Sequence, residues 1–74
     1  MHSNKKRHPD AERIRSFAWD CTVGAGNVGD DAAQGPDIQS VFELGDRLGR
    51  LLTEDDCAEF ERAWRRCLQE AAQP

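Results

Sequence analysis

Between Asp37 and Ala72 the apolar residues fall on two helical stripes that meet near Thr53, and no other feature of the chain restricts its fold as strongly. The first stripe is Ile38, Val41, Leu44, Leu48 and Leu51, widened by Phe42 and Leu52. The second is Cys57, Phe60, Trp64, Cys67 and Ala71, in alternating steps of 3 and 4 residues that draw one line along a helix. At the junction, Thr53-Glu54-Asp55-Asp56 places a capping hydroxyl ahead of three carboxylates, which answer the unpaired N–H groups and the positive end of the helix dipole. Asp56 stands where a capping box favours Glu or Gln, so its reciprocal bond is expected to be weaker. Leu52 and Cys57 are spaced for a hydrophobic staple across the cap.

A chain of 74 residues is a single domain with little core to share, so a second copy, a metal or disulfides would help it. Cys21, Cys57 and Cys67 are odd in number, and the last two lie ten residues apart on one helix, about 15 Å and out of disulfide reach. All three are expected on apolar faces as reduced thiols of a cytoplasmic protein. No apolar run is long enough to span a bilayer, and the basic N-terminus lacks the apolar segment of a secretory signal. Eight Arg against two Lys, with abundant Ala and Gly, is the usage of a GC-rich bacterium or its phage. Charge is uneven: residues 1–15 carry +3, and the remainder carries −7. An acidic body with a basic arm is implied.

Residues 1–8 have nothing to bury and are expected to form a disordered basic arm ahead of a single helical domain over 9–74. Pro9, Asp10 and Glu12 suit a first helical turn, and Ile14, Phe17, Ala18 and Cys21 continue at helical spacing, predicting a helix from Pro9 to Asp20. Phe17, Trp19, Cys21 and Val23 also alternate as a strand would, but such a strand has no partner elsewhere in the chain. Residues 22–36 hold four of the six glycines and read as a linker without regular structure. Asp37 caps the next helix, which ends at Leu48 with Gly49 in a left-handed conformation or continues to Leu51 or Leu52.

Motifs for chemistry are sparse. Gly24-Ala25-Gly26-Asn27-Val28-Gly29 matches the dinucleotide fingerprint, which needs a preceding strand and a parallel sheet. Two helices occupy the chain that follows, and Asp30 and Asp31 would repel a pyrophosphate, so a loop is the better account. The cysteines lack metal-ligand spacing, and His2 and His8 lie in the arm, away from any cysteine nucleophile. Glu54, Asp55, Asp56, Glu59 and Glu61 are accounted for by capping and a solvated face. The expectation is a chain with no catalytic, metal or cofactor-binding residues. Lys5-Lys6-Arg7-His8 suits phosphate contacts, but no helix behind it carries a basic face for a groove.

Protein contact is better served. Gly45 and Gly49 each cost a helix about 1 kcal/mol relative to Ala, and their four-residue spacing lets another backbone approach one side. Trp19 falls off the Ile14–Phe17–Cys21 face, where an exposed Trp suits an interface. Trp64 belongs to the second stripe and is expected in the core, with Phe42 and Phe60 completing a large aromatic content.

The run Val41-Phe42-Glu43-Leu44-Gly45-Asp46-Arg47-Leu48-Gly49, followed by Phe60-Glu61-Arg62-Ala63-Trp64-Arg65-Arg66-Cys67-Leu68, resembles the small quorum-sensing anti-activators of pseudomonads of the QslA type. The resemblance covers the two C-terminal helices. It implies a helical, dimeric, non-catalytic protein that inhibits a transcription factor by binding it.

The sequence thus predicts a small all-α hairpin or three-helix domain with a glycine-rich loop, paired as a homodimer. Its expected role is non-enzymatic: a regulator or inhibitor that occludes a protein partner, either an anti-activator or a phage-type inhibitor. The expected contact residues are Trp19, Phe42, Gly45, Leu48, Gly49, Phe60 and Trp64. Acidic residues steer such a protein toward a basic target, including a nucleic-acid-binding one. Two alternatives follow from charge: a phage anti-defence inhibitor of the anti-CRISPR kind, with acids standing in for phosphates, and a DNA-binding regulator using its basic arm.

Overall fold

The computed structural model describes residues 7–73, which form four helices and no strands: α1 (Ala11–Cys21), α2 (Asp30–Ala33), α3 (Ile38–Leu48) and α4 (Glu54–Ala72). The all-α class follows the sequence periodicity, and the strand reading of residues 17–23 is displaced by helix and turn. No helix of the described residues is long and apolar enough to cross a membrane. Lys5 and Lys6 of the expected arm lie outside the described residues.

Local chemistry sets each boundary. Thr53 accepts from the Asp56 N–H at 3.1 Å, and the Asp56 carboxylate accepts from the Thr53 N–H at 2.8 Å, so the shorter acid closes a full capping box. Asp37 caps α3 by accepting from the Ser40 N–H at 2.9 Å, and the Ser40 side chain, with that N–H, holds its carboxyl below the usual range. Gly49, at φ 74°, ends α3. Its N–H and that of Arg50 turn back to the carbonyls of Asp46 and Gly45, a pairing that reverses the chain within two residues. Helix α1 begins two residues later than the sequence predicts, at Ala11; Asp10 is its N-cap residue, but its side chain is drawn to Arg50 and makes no cap bond.

Helices α1 and α4 pack side by side and run in the same direction. His8 meets Asp56 near their N-termini, Phe17 stacks on Phe60 midway, and Thr22 reaches Cys67 at the far end. Phe17 and Phe60 lie 5.7 Å apart, and Phe60 meets Trp64 edge-on, also at 5.7 Å, an arrangement that adds about 0.5–1.5 kcal/mol beyond area burial. Ile14, Ala18, Leu44, Leu48, Ala63 and Cys67 complete the core. Helix α3 closes over this seam through Leu44 and Leu48, and Arg13 of α1 donates to the Arg47 carbonyl at its C-terminal end.

Residues 22–36, expected to be irregular, hold the short α2. Ala32 is buried there, and its carbonyl accepts from the Trp64 indole N–H at 2.7 Å, satisfying the one polar atom of a buried Trp. The glycine motif serves the end of α1. A Cβ on Gly24 would lie 3.0 Å from the Asp20 backbone, so only glycine permits that approach.

Several placements depart from the stripes. Cys57 is exposed, so it closes no buried staple with Leu52, whereas Cys67 is buried and Cys21 is half-buried. The inward line of α4 is Asp56, Phe60, Ala63, Trp64 and Cys67, and it begins with a carboxylate rather than a thiol. The α3 stripe splits. Leu44 and Leu48 enter the core, but Ile38 and Leu51 face solvent.

Candidate functional site

Three arrangements could carry function: a buried charge cluster, a polar trough between α1 and α4, and an apolar groove beside α3.

The cluster forms where the N-termini of α1 and α4 meet the Gly49 turn. Asp56 is 1% exposed. One of its oxygens accepts from Arg50 at 2.5 Å and from the Thr53 N–H at 2.8 Å. The other accepts from His8 Nε2 at 2.6 Å and from Arg50 at 3.0 Å. Arg50 also donates to Asp10 at 2.6 Å. The Arg50 guanidinium holds the Asp56 carboxyl well below the ordinary carboxylate range against the upward push of burial, with the Thr53 N–H and His8 adding to the effect. Asp10 is likewise lowered, chiefly by Arg50, and Arg50 is raised by both acids.

His8 Nδ1 accepts from the Asp10 N–H at 3.0 Å, which leaves the proton on Nε2 for Asp56. The expected arm therefore gives up His8 to the core. A His–Asp pair has the parts of an acid–base dyad, but both ring nitrogens of His8 and both oxygens of Asp56 are occupied by structural partners. Its role here is to tie three chain segments together. The thiols of Cys21 and Cys67 are pushed up by burial, which lowers their reactivity as nucleophiles. Among the described residues no group of three His, Cys, Asp or Glu side chains is placed to hold a metal ion.

The trough between α1 and α4 encloses about 610 Å³. Arg7, Arg15, Arg62 and Arg66 line it with Glu12, Glu59 and Glu70, and Trp19 closes one wall at 38% exposure. Arg62 pairs with Glu59 at 2.8 Å and Arg15 with Glu70 at 3.4 Å, so much of its charge is answered internally.

The groove beside α3 encloses about 620 Å³, lined by Val41, Phe42, Gly45, Asp46, Gly49, Arg50, Leu51 and Leu52. Gly45 forms its floor under the returning loop: a Cβ there would lie 3.6 Å from the Arg50 carbonyl and 3.7 Å from Leu52. The close approach that glycine permits is thus met by the chain's own loop. Phe42 and Leu51 stand at the rim, 70% and 91% exposed, and Ile38 extends the strip toward the start of α3 at 73%.

The seven expected contact residues separate accordingly. Phe42, Gly45 and Gly49 come together at the α3 groove. Trp19 lies apart, in the polar trough. Phe60, Trp64 and Leu48 are buried in the core, covered by this chain's own helices. Ile38 and Leu51 were missed as surface residues. Both sit at positions where the stripe pattern points inward, and the only sequence signal against Leu51 was its place beyond the left-handed Gly49. The chain matches no protein-family model, no curated protein and no solved structure.

Proposed function

We propose that this chain is a small, non-enzymatic regulatory or inhibitory protein that docks on a protein partner and occludes the surface it covers. One observation carries the reading: Phe42 and Leu51 remain exposed at the groove beside α3, with Ile38 exposed one turn earlier, although the same chain buries Phe17, Phe60 and Trp64. Covering apolar surface returns about 25 cal/mol per Å², and a contiguous apolar strip on a small body marks a contact surface more than singly scattered residues do. Phe42 is the anchor, since a Phe brings large area with few rotamers to lose. Occlusion is also the mode that the resemblance to helical anti-activators implies. A cellular anti-activator and a phage inhibitor share this mechanism and differ only in target.

The test compares the chain tagged at its C-terminus with its Phe42→Asp variant, after circular dichroism confirms equal helicity. In a lysate of the native host, one stoichiometric protein should be retained by the wild type and lost by the variant. The purified target's own activity should then fall on adding wild-type chain and stay unchanged with Phe42→Asp. Capture indifferent to Phe42, or of nucleic acid alone, overturns the reading and favours the DNA-binding alternative.

A further inference from the structure

Resting on that reading, we infer that the α3 groove is built for a basic amphipathic helix of the partner rather than for a second copy of this chain. The shape comes first. From Val41 to Gly49 the groove follows α3 for about 12 Å at 1.5 Å per residue, a span that takes two turns of a facing helix with apolar anchors at i and i+4. Val41, Leu51 and Leu52 supply walls for an anchoring side chain beside Phe42.

Charge selects among amphipathic helices. Asp46 lines the groove, and Glu43, next to Phe42 in the chain, is exposed outside that lining. Neither has a cation within 4.0 Å among the described residues. The two nearby cations are committed elsewhere. Arg47 lies 4.8 Å over the Phe17 ring, and Arg50 is held by Asp56 and Asp10. The unanswered charge at the rim is therefore negative, in a chain whose net charge is already −4. Lys or Arg on the flanks of an incoming helix would meet these acids and be steered to them.

A second copy is the poorer occupant. Two α3 faces related by a two-fold axis would bring two copies of the same Asp46-bearing rim into one interface, with no cation supplied to either. A head-to-tail contact of this face with the arginine-bearing trough of another copy would have the right signs, but it would repeat without closing.

The experiment titrates the full chain, labelled with ¹⁵N, with two synthetic helical peptides of about four turns. They share Leu at i, i+4 and i+8 and differ only in carrying Lys or Glu on the flanks. The Lys peptide is expected to shift the amides of Val41, Gly45, Gly49 and Leu51 and to bind about tenfold more tightly than the Glu peptide. The double variant Glu43→Lys, Asp46→Lys is expected to reverse that order. Equal affinities at these amides would overturn the charge preference and leave the docking face standing. Shifts confined to other surfaces, or none with either peptide, would overturn both. Concentration-dependent α3 shifts without any peptide would make a second copy the occupant and overturn the inference.

Discussion

Two hollows of nearly equal size flank the core, about 610 Å³ between α1 and α4 and about 620 Å³ beside α3, and they are lined in opposite ways. In the first, arginines and glutamates pair between α1 and α4 and along α4, and Trp19 adds apolar surface beside Ala11 and Ala63. In the second, the apolar groups are on the outside and the nearest cations are engaged with Phe17, Asp10 and Asp56. Water satisfies the first surface at little cost, because exposed ion pairs gain only tenths of a kcal/mol from forming. Water leaves the second with free energy to be gained on covering. Volume does not separate the two hollows; the charged side chains that line the first, and are few in the second, do.

Changes beneath both surfaces have the largest effect. Phe60→Ala removes the ring shared by Phe17 and Trp64 and should cost about 3–5 kcal/mol in urea unfolding, enough to erase both hollows together. A stable Phe60→Ala chain with either surface intact would show that the hollows are not held by one core.

Next is the cluster that fixes the Gly49 turn, and with it only the α3 groove. Asp56→Asn leaves Arg50 without its buried counter-ion and should cost about 3 kcal/mol, with the loss held down because Arg50 can turn to water. Because the Asp56, Asp10 and Asp37 carboxyls are lowered in the folded state, they stabilise the fold fully above the unfolded value near pH 4. That contribution is lost as pH falls below about 4 toward their folded values. Urea midpoints measured from pH 7 to pH 2 should decline in acid for the wild type and decline less for Asp56→Asn.

Gly45→Ala separates stability from docking. The added Cβ meets only ordinary contacts at 3.6 and 3.7 Å, so the helix should gain up to about 1 kcal/mol. The same methyl raises the groove floor and should weaken peptide binding. A variant that is both more stable and equally able to bind would remove the groove from the docking surface.

The smallest effect is expected in the polar trough. Arg62→Ala should change stability by no more than about 0.5 kcal/mol and leave partner capture intact. A large loss of capture would reverse the ranking of the two surfaces.

Much of the architecture was legible in the sequence. The caps at Asp37 and Thr53 are local devices, decided within four residues of chain, and appear where the sequence predicts them, whereas the stop at Gly49 is one of the two ends that the sequence left open. Trp64 was legible as core from its stripe, yet it was also counted among the contact residues. Only the packing of α1 and α2 against α4 decides between those roles. Phe42 was legible as a contact residue, but Ile38 was legible only as apolar and not as exposed, because a widened stripe on a short helix exceeds what its neighbours can cover. Asp56 was read as a solvated capping acid. Nothing within one turn announces that Arg50 and His8, which is 48 residues away, make its burial affordable.

The sequence by itself determined that α1, α3 and α4 are helices, the caps at Asp37 and Thr53, and the residues able to fill a core, since each depends on periodicity and on hydrogen bonds between near neighbours. Tertiary structure alone decided which apolar residues stay in water and which charges remain unanswered. Those outcomes depend on how far α1, α3 and α4 can cover one another, and on Arg50 being claimed by Asp10 and Asp56 instead of by Asp46.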